Sequence, residues 1–321
     1  MIPGPANLAA AARLLADGDL VAFPTETVYG LGARADDEAA VARIFAAKGR
    51  PADHPLIVHI ADPDATALFA AHVPDAARRL MAAFWPGPLT LILPRRPGMA
   101  AAAAGGQDSI GLRLPSHPVA RALLTQAAGL GVPGVAAPSA NRFGHVSPTT
   151  AAHVVEEFGP ALCVLDGGAC EVGIESAIVD CTRAQPALLR PGQLTRQQIQ
   201  QVLGQPLVAP DAASPRASGT LESHYAPSVP VTLWATPALA ARLAAPPPPG
   251  QAIGVYSRLA PAAGTRWQHR SMAAEPNAVA HDLFSVLREL DAAGVGAIWV
   301  ERPPPGAAWD GVLDRLERAA A

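Results

Sequence analysis

Lys48-Gly49-Arg50-Pro51 sets two cations either side of a glycine, and the proline keeps the chain from running on as a helix. The strand-like run Leu56-Ile57-Val58 then delivers His59. One end of this stretch can address a polyanion and the other can aim an imidazole. A basic surface loop leading into a core strand is the competing reading, and these residues alone do not separate the two. Residues 24–32, Pro-Thr-Glu-Thr-Val-Tyr-Gly-Leu-Gly, crowd four hydrogen-bonding side chains beside two glycines. That suits a loop where backbone approaches a ligand, or an ordinary strand-to-helix turn. Ser109, Gly111 and Arg113 share one face of an alternating segment. A guanidinium there needs an anion, from a bound ligand or from a structural ion pair. Ser139, Asn141 and Ser147 offer neutral hydrogen bonds, just ahead of a helix start whose free N–H groups favour an anion.

The sequence has no nucleophile elbow, Walker A loop, paired-carboxylate motif or zinc helix. What remains is an inventory of donors: Lys48, Arg50, Arg113 and Arg190; the hydroxyls of Thr27, Tyr29, Ser109, Ser139, Ser147 and Ser176; and His54, His59 and Asn141. Donors without an evident base or nucleophile fit catalysis by positioning and charge stabilisation. Phosphoryl and nucleotidyl transfer work that way, because charge on phosphate oxygens is what must be neutralised. Arg50 and Arg190 can grip phosphate oxygens bidentately, with Lys48 as a point charge.

Alternating short strands and helices must position these groups. The spacing predicts helices over 7–16, 36–47, 62–71, 75–84, 118–128, 151–158 and 197–203, with strands at 20–23, 56–60, 89–93, 109–115, 134–137, 162–165, 173–180 and 187–189. Residues 210–227, rich in Pro, Ser and Ala, read as a linker. A linker needs no His224-Tyr225 pair, so that pair is expected to touch something. Beyond it, strands at 231–234, 252–256 and 296–300, a Pro246–Pro249 break and helices over 276–293 and 308–319 suggest a small open α/β unit. The expected division is 1–207, a linker at 208–229, and 230–321.

Composition narrows the function class. At 321 residues two domains are the prior, and 50% apolar content supports a sizeable core. A net charge of −3 advertises no global nucleic-acid-binding field. Three cysteines without a C-x-x-C pair argue against zinc or a disulfide framework, and a reducing cytoplasm fits best. The Met-Ile-Pro-Gly-Pro start does not read as a secretory signal, and no apolar run is long enough for a membrane span.

The ordered motifs Pro-Thr-Glu-Thr-Val-Tyr-Gly-Leu-Gly (24–32), Lys-Gly-Arg-Pro (48–51), Pro-Leu-Ile-Val-His (55–59), Trp-Pro-Gly-Pro (85–88), Pro-Ser-Ala-Asn (138–141) and Leu-Arg-Pro-Gly (189–192) resemble the YrdC/Sua5 family over about residues 8–205. The linker and C-terminal unit are similar to the two-domain Sua5 form. The resemblance implies a YrdC-like twisted mixed sheet with flanking helices and a concave cleft, plus a smaller Rossmann-like α/β domain. It implies an L-threonylcarbamoyladenylate synthase, a nucleotidyltransferase that combines L-threonine, bicarbonate (or CO2) and ATP. Its product would serve the N6-threonylcarbamoyl modification of adenosine in tRNAs that read ANN codons, through a downstream tRNA transferase. Lys48 and Arg50 would be catalytic. Lys48, Arg50, His54, Ser109, Ser139, Asn141, Ser147, Arg190 and Tyr225 would contact ATP. Thr27, Tyr29, His59, Arg113, the Ala137 backbone and Ser176 would hold threonine. Mg2+ would arrive with ATP without a dedicated protein cage, and no stable direct tRNA binding is expected.

Two departures stand out. The linker motif has few basic neighbours beyond Arg216, since 219–222 is neutral to acidic, and the C-terminal helix lacks an asparagine before Arg315. The alternatives are a double-stranded-RNA-binding module, which the net charge disfavours, a carbamoyl transferase, which would need more chain and Cys pairs, and a general amino-acid-adenylating enzyme.

Overall fold

Short apolar runs punctuated by Gly, Pro and Asp make the strands of the larger sheet. They are β1 (Val21–Phe23), β2 (Gly30–Arg34), β3 (Ile57–His59), β4 (Leu89–Pro94), β5 (Ser109–Arg113), β6 (Val135–Ala136), β7 (Cys163–Val164), β8 (Ala177–Asp180) and β9 (Ala187–Arg190). The computed structural model describes residues 4–220, 224–245, 252–261 and 267–321. The expected Pro246–Pro249 break, the first three residues of the N-terminus and residues 221–223 of the linker lie outside the described residues. The strand order is β7-β1-β2-β6-β3-β5-β4-β8-β9. β7–β1, β3–β5 and β4–β8 are parallel pairs and the others antiparallel, so the sheet is mixed.

The flanking helices are α1 (Pro5–Ala16), α2 (Glu38–Lys48), α3 (Thr66–Phe69), α4 (Asp75–Phe84), α5 (Pro118–Gly129), α6 (Ala151–Phe158) and α7 (Arg196–Leu203). Strand alternation divides the core. Ala22, Val58 and Ala136 join a cluster with Ile44 of α2 and Leu80 of α4. Val21, Phe23 and Val135 join another with Leu15 of α1 and Leu123 of α5. Elsewhere Ile57, Ile92 and Ile178 form a small separate cluster, and the residue packed on them from outside the sheet is Ala217 of the linker. This region of the sheet is the floor of a cleft.

The smaller sheet contains β10 (Val231–Trp234), β11 (Ile253–Ser257), β12 (Trp267–Ser271) and β13 (Ala297–Glu301). Its order is β10-β13-β11-β12, and every pairing is parallel. Parallel neighbours require crossovers, which α8 (Thr236–Leu243) and α9 (Pro276–Ala292) help to supply, and α10 (Asp310–Ala319) follows. Leu283, Phe284 and Leu287 of α9 belong to one apolar cluster with Tyr225 and with Val28, Val146 and Ile174 of the larger unit. The two units therefore share a core.

Three elements differ from the sequence expectation. Residues 30–34, read as loop because of their glycines, form β2. Gly32 is required there, since a Cβ would lie 2.8 Å from both Phe23 and Val135. Residues 62–71 split into a 3-10 turn (Pro63–Ala65) and the short α3. Strand β12 was missed because Gln268, His269 and Arg270 break the apolar pattern.

Candidate active site

Helix α2 ends where chemistry begins. Asp37 accepts from the Ala39 and Ala40 amides and starts it. Gly49, at φ 64°, ends it in the left-handed region, where glycine carries no Cβ penalty. The chain therefore turns sharply between Lys48 and Arg50. Lys48 Nζ donates to the carbonyls of Ser139, at 2.6 Å, and Asn141. Burial, followed by the charge of Arg50, holds its pKa well below the usual lysine value. Arg50 donates to the Pro55 carbonyl at 3.0 Å. Its guanidinium lies 5.9 Å from the centre of the Phe143 ring, and burial lowers its pKa to about 10. His54 and His224 also pack against Phe143.

Strand register builds the other half. β3 and β5 pair His59 with Arg113, so these two side chains stand beside each other. Just past β6, Ala137 donates its N–H to the Ile57 carbonyl, and Gly30 bridges Ser139. Strand β9 places Arg190 opposite Ile178. Arg190 Nε donates to the Ser176 carbonyl at 3.0 Å, and Nη2 to the Ser176 hydroxyl at 3.3 Å. One cavity is lined by Thr27, His59, Arg113, Ala137, Ser139, Ser176, Arg190 and Tyr225, all expected from the sequence. Thr25, Glu175, Ser218, Gly219 and His224 line it too. A second, smaller cavity next to it is lined by Ser109, Gly111, Ile57, Ile92, Ile178 and Ala217.

Electrostatics distinguish the two cations in the main cavity. Arg113 Nη2 lies 2.7 Å from Glu26 Oε1 in a buried ion pair, and among the described residues Nε is a buried donor without a hydrogen-bond partner. Nη1 donates to Thr27 Oγ1 at 2.8 Å. The anion that Arg113 required is thus partly supplied by the protein itself, and its Nε is left for a ligand. Burial, and then the charge of Arg113, lowers the His59 pKa to about 3, so its imidazole is neutral at ordinary pH. Its Nδ1 is buried and unpartnered. Arg190 also donates to the Ser218 carbonyl of the linker at 2.8 Å.

Several expected contacts lie elsewhere. Tyr29 lies off the cavity. Its hydroxyl donates to the Gly168 carbonyl at 2.7 Å and accepts from the Gly167 amide at 3.2 Å, so it anchors the 166–168 turn and does not line the cavity. Ser147 donates to Glu175 Oε1 at 2.5 Å behind the cavity. The Asn141 amide nitrogen donates to the Arg142 and His145 carbonyls and shapes its own loop. Lys48, Arg50, His54, Asn141 and Ser147 surround the cavity without lining it.

Sequence reasoning missed Thr25, Glu26 and Glu175 as functional groups, although each falls in a stretch it singled out. Phe143 gave no signal beyond being aromatic in a polar loop. Tyr225 adopts φ 63°, which a non-glycine residue rarely does and which points to a functional constraint. Its ring sits 5.3 Å from Phe284 and 5.6 Å from the Arg315 guanidinium, and among the described residues its hydroxyl has no hydrogen-bond partner. Gly219 lies against that hydroxyl, where a Cβ would come within 2.4 Å.

The Sua5/YciO/YrdC family model, described as "Telomere recombination", matches residues 13–192. A second, described as "Threonylcarbamoyl-AMP synthase, C-terminal domain", matches residues 194–321. A threonylcarbamoyl-AMP synthase of Pyrococcus abyssi is 39% identical, over 97% of this chain and 93% of its own length. One from Bacillus subtilis is 44% identical, over 71% of this chain and 66% of its own. The crystal structure of P. abyssi Sua5 complexed with L-threonine superposes with a TM-score of 0.86 at 36% identity, covering 98% of this chain and 94% of that one.

Proposed function

The chain belongs to the Sua5/YciO/YrdC family, and from that premise we propose that it is an L-threonylcarbamoyladenylate synthase. It joins L-threonine, bicarbonate and ATP into threonylcarbamoyl-AMP. An N–C bond to the carbonate carbon and an O–P bond to the α-phosphate form, while pyrophosphate and water leave. The reaction is a nucleotidyl transfer, and the product serves the threonylcarbamoyl modification of tRNA adenosine through a separate transferase. Such a pathway belongs in the cytoplasm. Among the described residues, no helix is long and apolar enough to cross a membrane.

The observation that carries this reading is that Arg113 of β5 and Arg190 of β9 face one cavity. Arg113 takes the threonine carboxylate through Nε and the second N–H of Nη2, the first being turned to Glu26. Thr27, Ser176, the neutral His59 and the Ala137 backbone hold the rest of the amino acid. Arg190, Arg50 and Ser139 address the phosphates. Lys48 adds positive charge while fixing the carbonyls of the Ser139–Asn141 loop, and Ser109 meets the nucleotide over the apolar floor. His54, Asn141 and Ser147 support the phosphate side. Tyr225 contacts the nucleotide from the linker. The cavity holds about 30 Å³, far below the roughly 300–1,000 Å³ of ligand pockets. The linker residues Ser218, Gly219, His224 and Tyr225 must therefore shift for both substrates to enter.

Mg2+ fits this donor set as a passenger on ATP. Glu26 and Glu175 are engaged by Arg113 and Arg315, and among the described residues no cluster of His, Cys, Asp or Glu could hold a metal ion. The ion would neutralise charge on the phosphate oxygens. The test is pyrophosphate release from ATP. We expect release only with both threonine and bicarbonate. Threonine-dependent release that ignores bicarbonate would instead make the protein a general amino-acid-adenylating enzyme.

A further inference from the structure

Thr25 lies two residues before Thr27, and both side chains are buried. A hydroxyl has one proton to donate. The Thr25 proton goes to the Val28 carbonyl, at 2.7 Å, because a carbonyl can only accept. The Thr25 and Thr27 hydroxyls are 2.8 Å apart. With the Thr25 proton already used, Thr27 must be the donor in that contact. Thr27 Oγ1 in turn accepts from Arg113 Nη1 at 2.8 Å. The Thr27 proton is therefore directed away from the ligand, and the lone pair left over is an acceptor. The Thr27 and Val28 amides reach Thr25 Oγ1 only at 3.2 and 3.3 Å and share its remaining capacity.

We infer that Thr25 is a positioning residue that fixes the hydrogen-bond polarity of the amino-acid subsite. It makes Thr27 an obligate acceptor beside the obligate donors of Arg113. The ligand that matches this pair carries a carboxylate and, close to it, an N–H or O–H donor. This rests on the assignment of the cavity to threonine. It adds a residue whose own hydroxyl is consumed within the protein and acts through its neighbour. Without the Thr25 hydroxyl, the Thr27 hydroxyl is free to rotate and to present its proton to the ligand, where two donors would oppose each other.

The experiment is calorimetric binding of L-threonine and, separately, ATP to the full-length protein and to Thr25→Val, Thr25→Ala and Thr25→Ser. Thr25→Val and Thr25→Ala should bind threonine about tenfold more weakly, the size of one neutral hydrogen bond, with ATP affinity within about twofold of the unaltered protein. Thr25→Ser, which keeps the hydroxyl, should restore threonine binding. L-2-Aminobutyrate, which lacks the side-chain hydroxyl, identifies the donor. An equal loss for both ligands assigns it to the amine, and a loss for threonine alone assigns it to the hydroxyl. Unchanged threonine affinity in Thr25→Val and Thr25→Ala, parallel loss of ATP affinity, or failure of Thr25→Ser to recover would overturn the inference alone. An unaltered protein that binds no threonine would overturn the functional reading as well.

Discussion

Arg113 is a single buried charge with a partner inside the protein and, in the proposed reading, a ligand to hold. Its ion pair with Glu26, made through Nη2, offsets the desolvation of the guanidinium, yet leaves Nε without a hydrogen-bond partner among the described residues. The Glu26 carboxylate also accepts from the Ser116 amide at 3.2 Å, which ties the β5 exit to the loop bearing Thr27. Arg113→Lys keeps the charge but cannot bind a carboxylate bidentately. Losing one charge-assisted hydrogen bond amounts to about 1.5–3 kcal/mol, or roughly 10- to 150-fold. Steady-state kinetics should show that loss in the KM for threonine, with the KM for ATP nearly unchanged. Equal effects on both substrates would show that Arg113 does not read the amino acid. Its position on a cleft-facing strand was legible from alternation with Ser109 and Gly111. Its partner was not, because Glu26 and Arg113 are far apart in sequence and meet only when the loop after β1 folds over β5.

At the scale of elements, the glycines decide how closely helices approach the site. Gly173, at φ 82°, lies under α9, and a Cβ there would come within 2.4 Å of the Ala280 carbonyl. Gly311 of α10 faces the Gly192 carbonyl, with a Cβ 2.8 Å away. Both approaches involve backbone, which cannot yield as a side chain end can. Gly173→Ala adds left-handed strain to the clash, so denaturant unfolding should show a loss of at least about 1–3 kcal/mol. Gly49→Ala has open space around it and φ 64°, so only the backbone term should appear, at about 1 kcal/mol. A Gly173→Ala variant no weaker than Gly49→Ala would show that α9 is not seated as described. The helix over 276–292 was legible from its apolar spacing. The face it covers was not, because close packing on a loop glycine leaves no periodic trace.

Across the whole molecule, a fully buried side chain of the C-terminal unit reaches a residue that lines the cavity. Arg315 of α10 donates from Nε to Glu175 Oε2 at 2.8 Å, from Nη2 to the Glu175 carbonyl at 3.0 Å and from Nη1 to the Pro191 carbonyl at 2.9 Å. Glu175 lines the cavity and accepts from Ser147. Burial alone would raise the Glu175 pKa, but Arg315, Arg190 and the hydrogen bonds outweigh it and hold the pKa below the usual carboxylate value. A carboxylate with a depressed folded pKa contributes stability above its unfolded pKa, and that contribution is lost as pH falls through the folded pKa. Arg315→Ala strands a buried charge, and at pH 7 this should lower stability by about 3–5 kcal/mol. In the variant Glu175 loses its main counter-charge and protonates more readily. The gap between the two proteins should therefore narrow as pH falls below about 4.5, the usual glutamate range. A gap independent of pH would mean that Arg315 acts by packing alone. The asparagine that the family resemblance led one to expect before Arg315 is Asp314 here, which pairs with Arg315 at 2.8 Å.

The sequence by itself determined the order of strands and helices in outline, the two-unit division of motifs and the family. Those properties live in local periodicity, caps and short contiguous motifs. It also named about half of the residues that line the cavity, most of them at a strand end or in a short polar turn. The tertiary structure decided which groups are free to act. Tyr29 turns to the 166–168 loop, Lys48 is bound to the carbonyls of residues 139 and 141, Glu26 holds Arg113, and Tyr225 is clasped between Phe284 and Arg315. Each outcome depends on partners distant in the chain competing for one hydrogen bond or one buried charge. Residue type and spacing say which groups can bond, and only packing determines which bonds form.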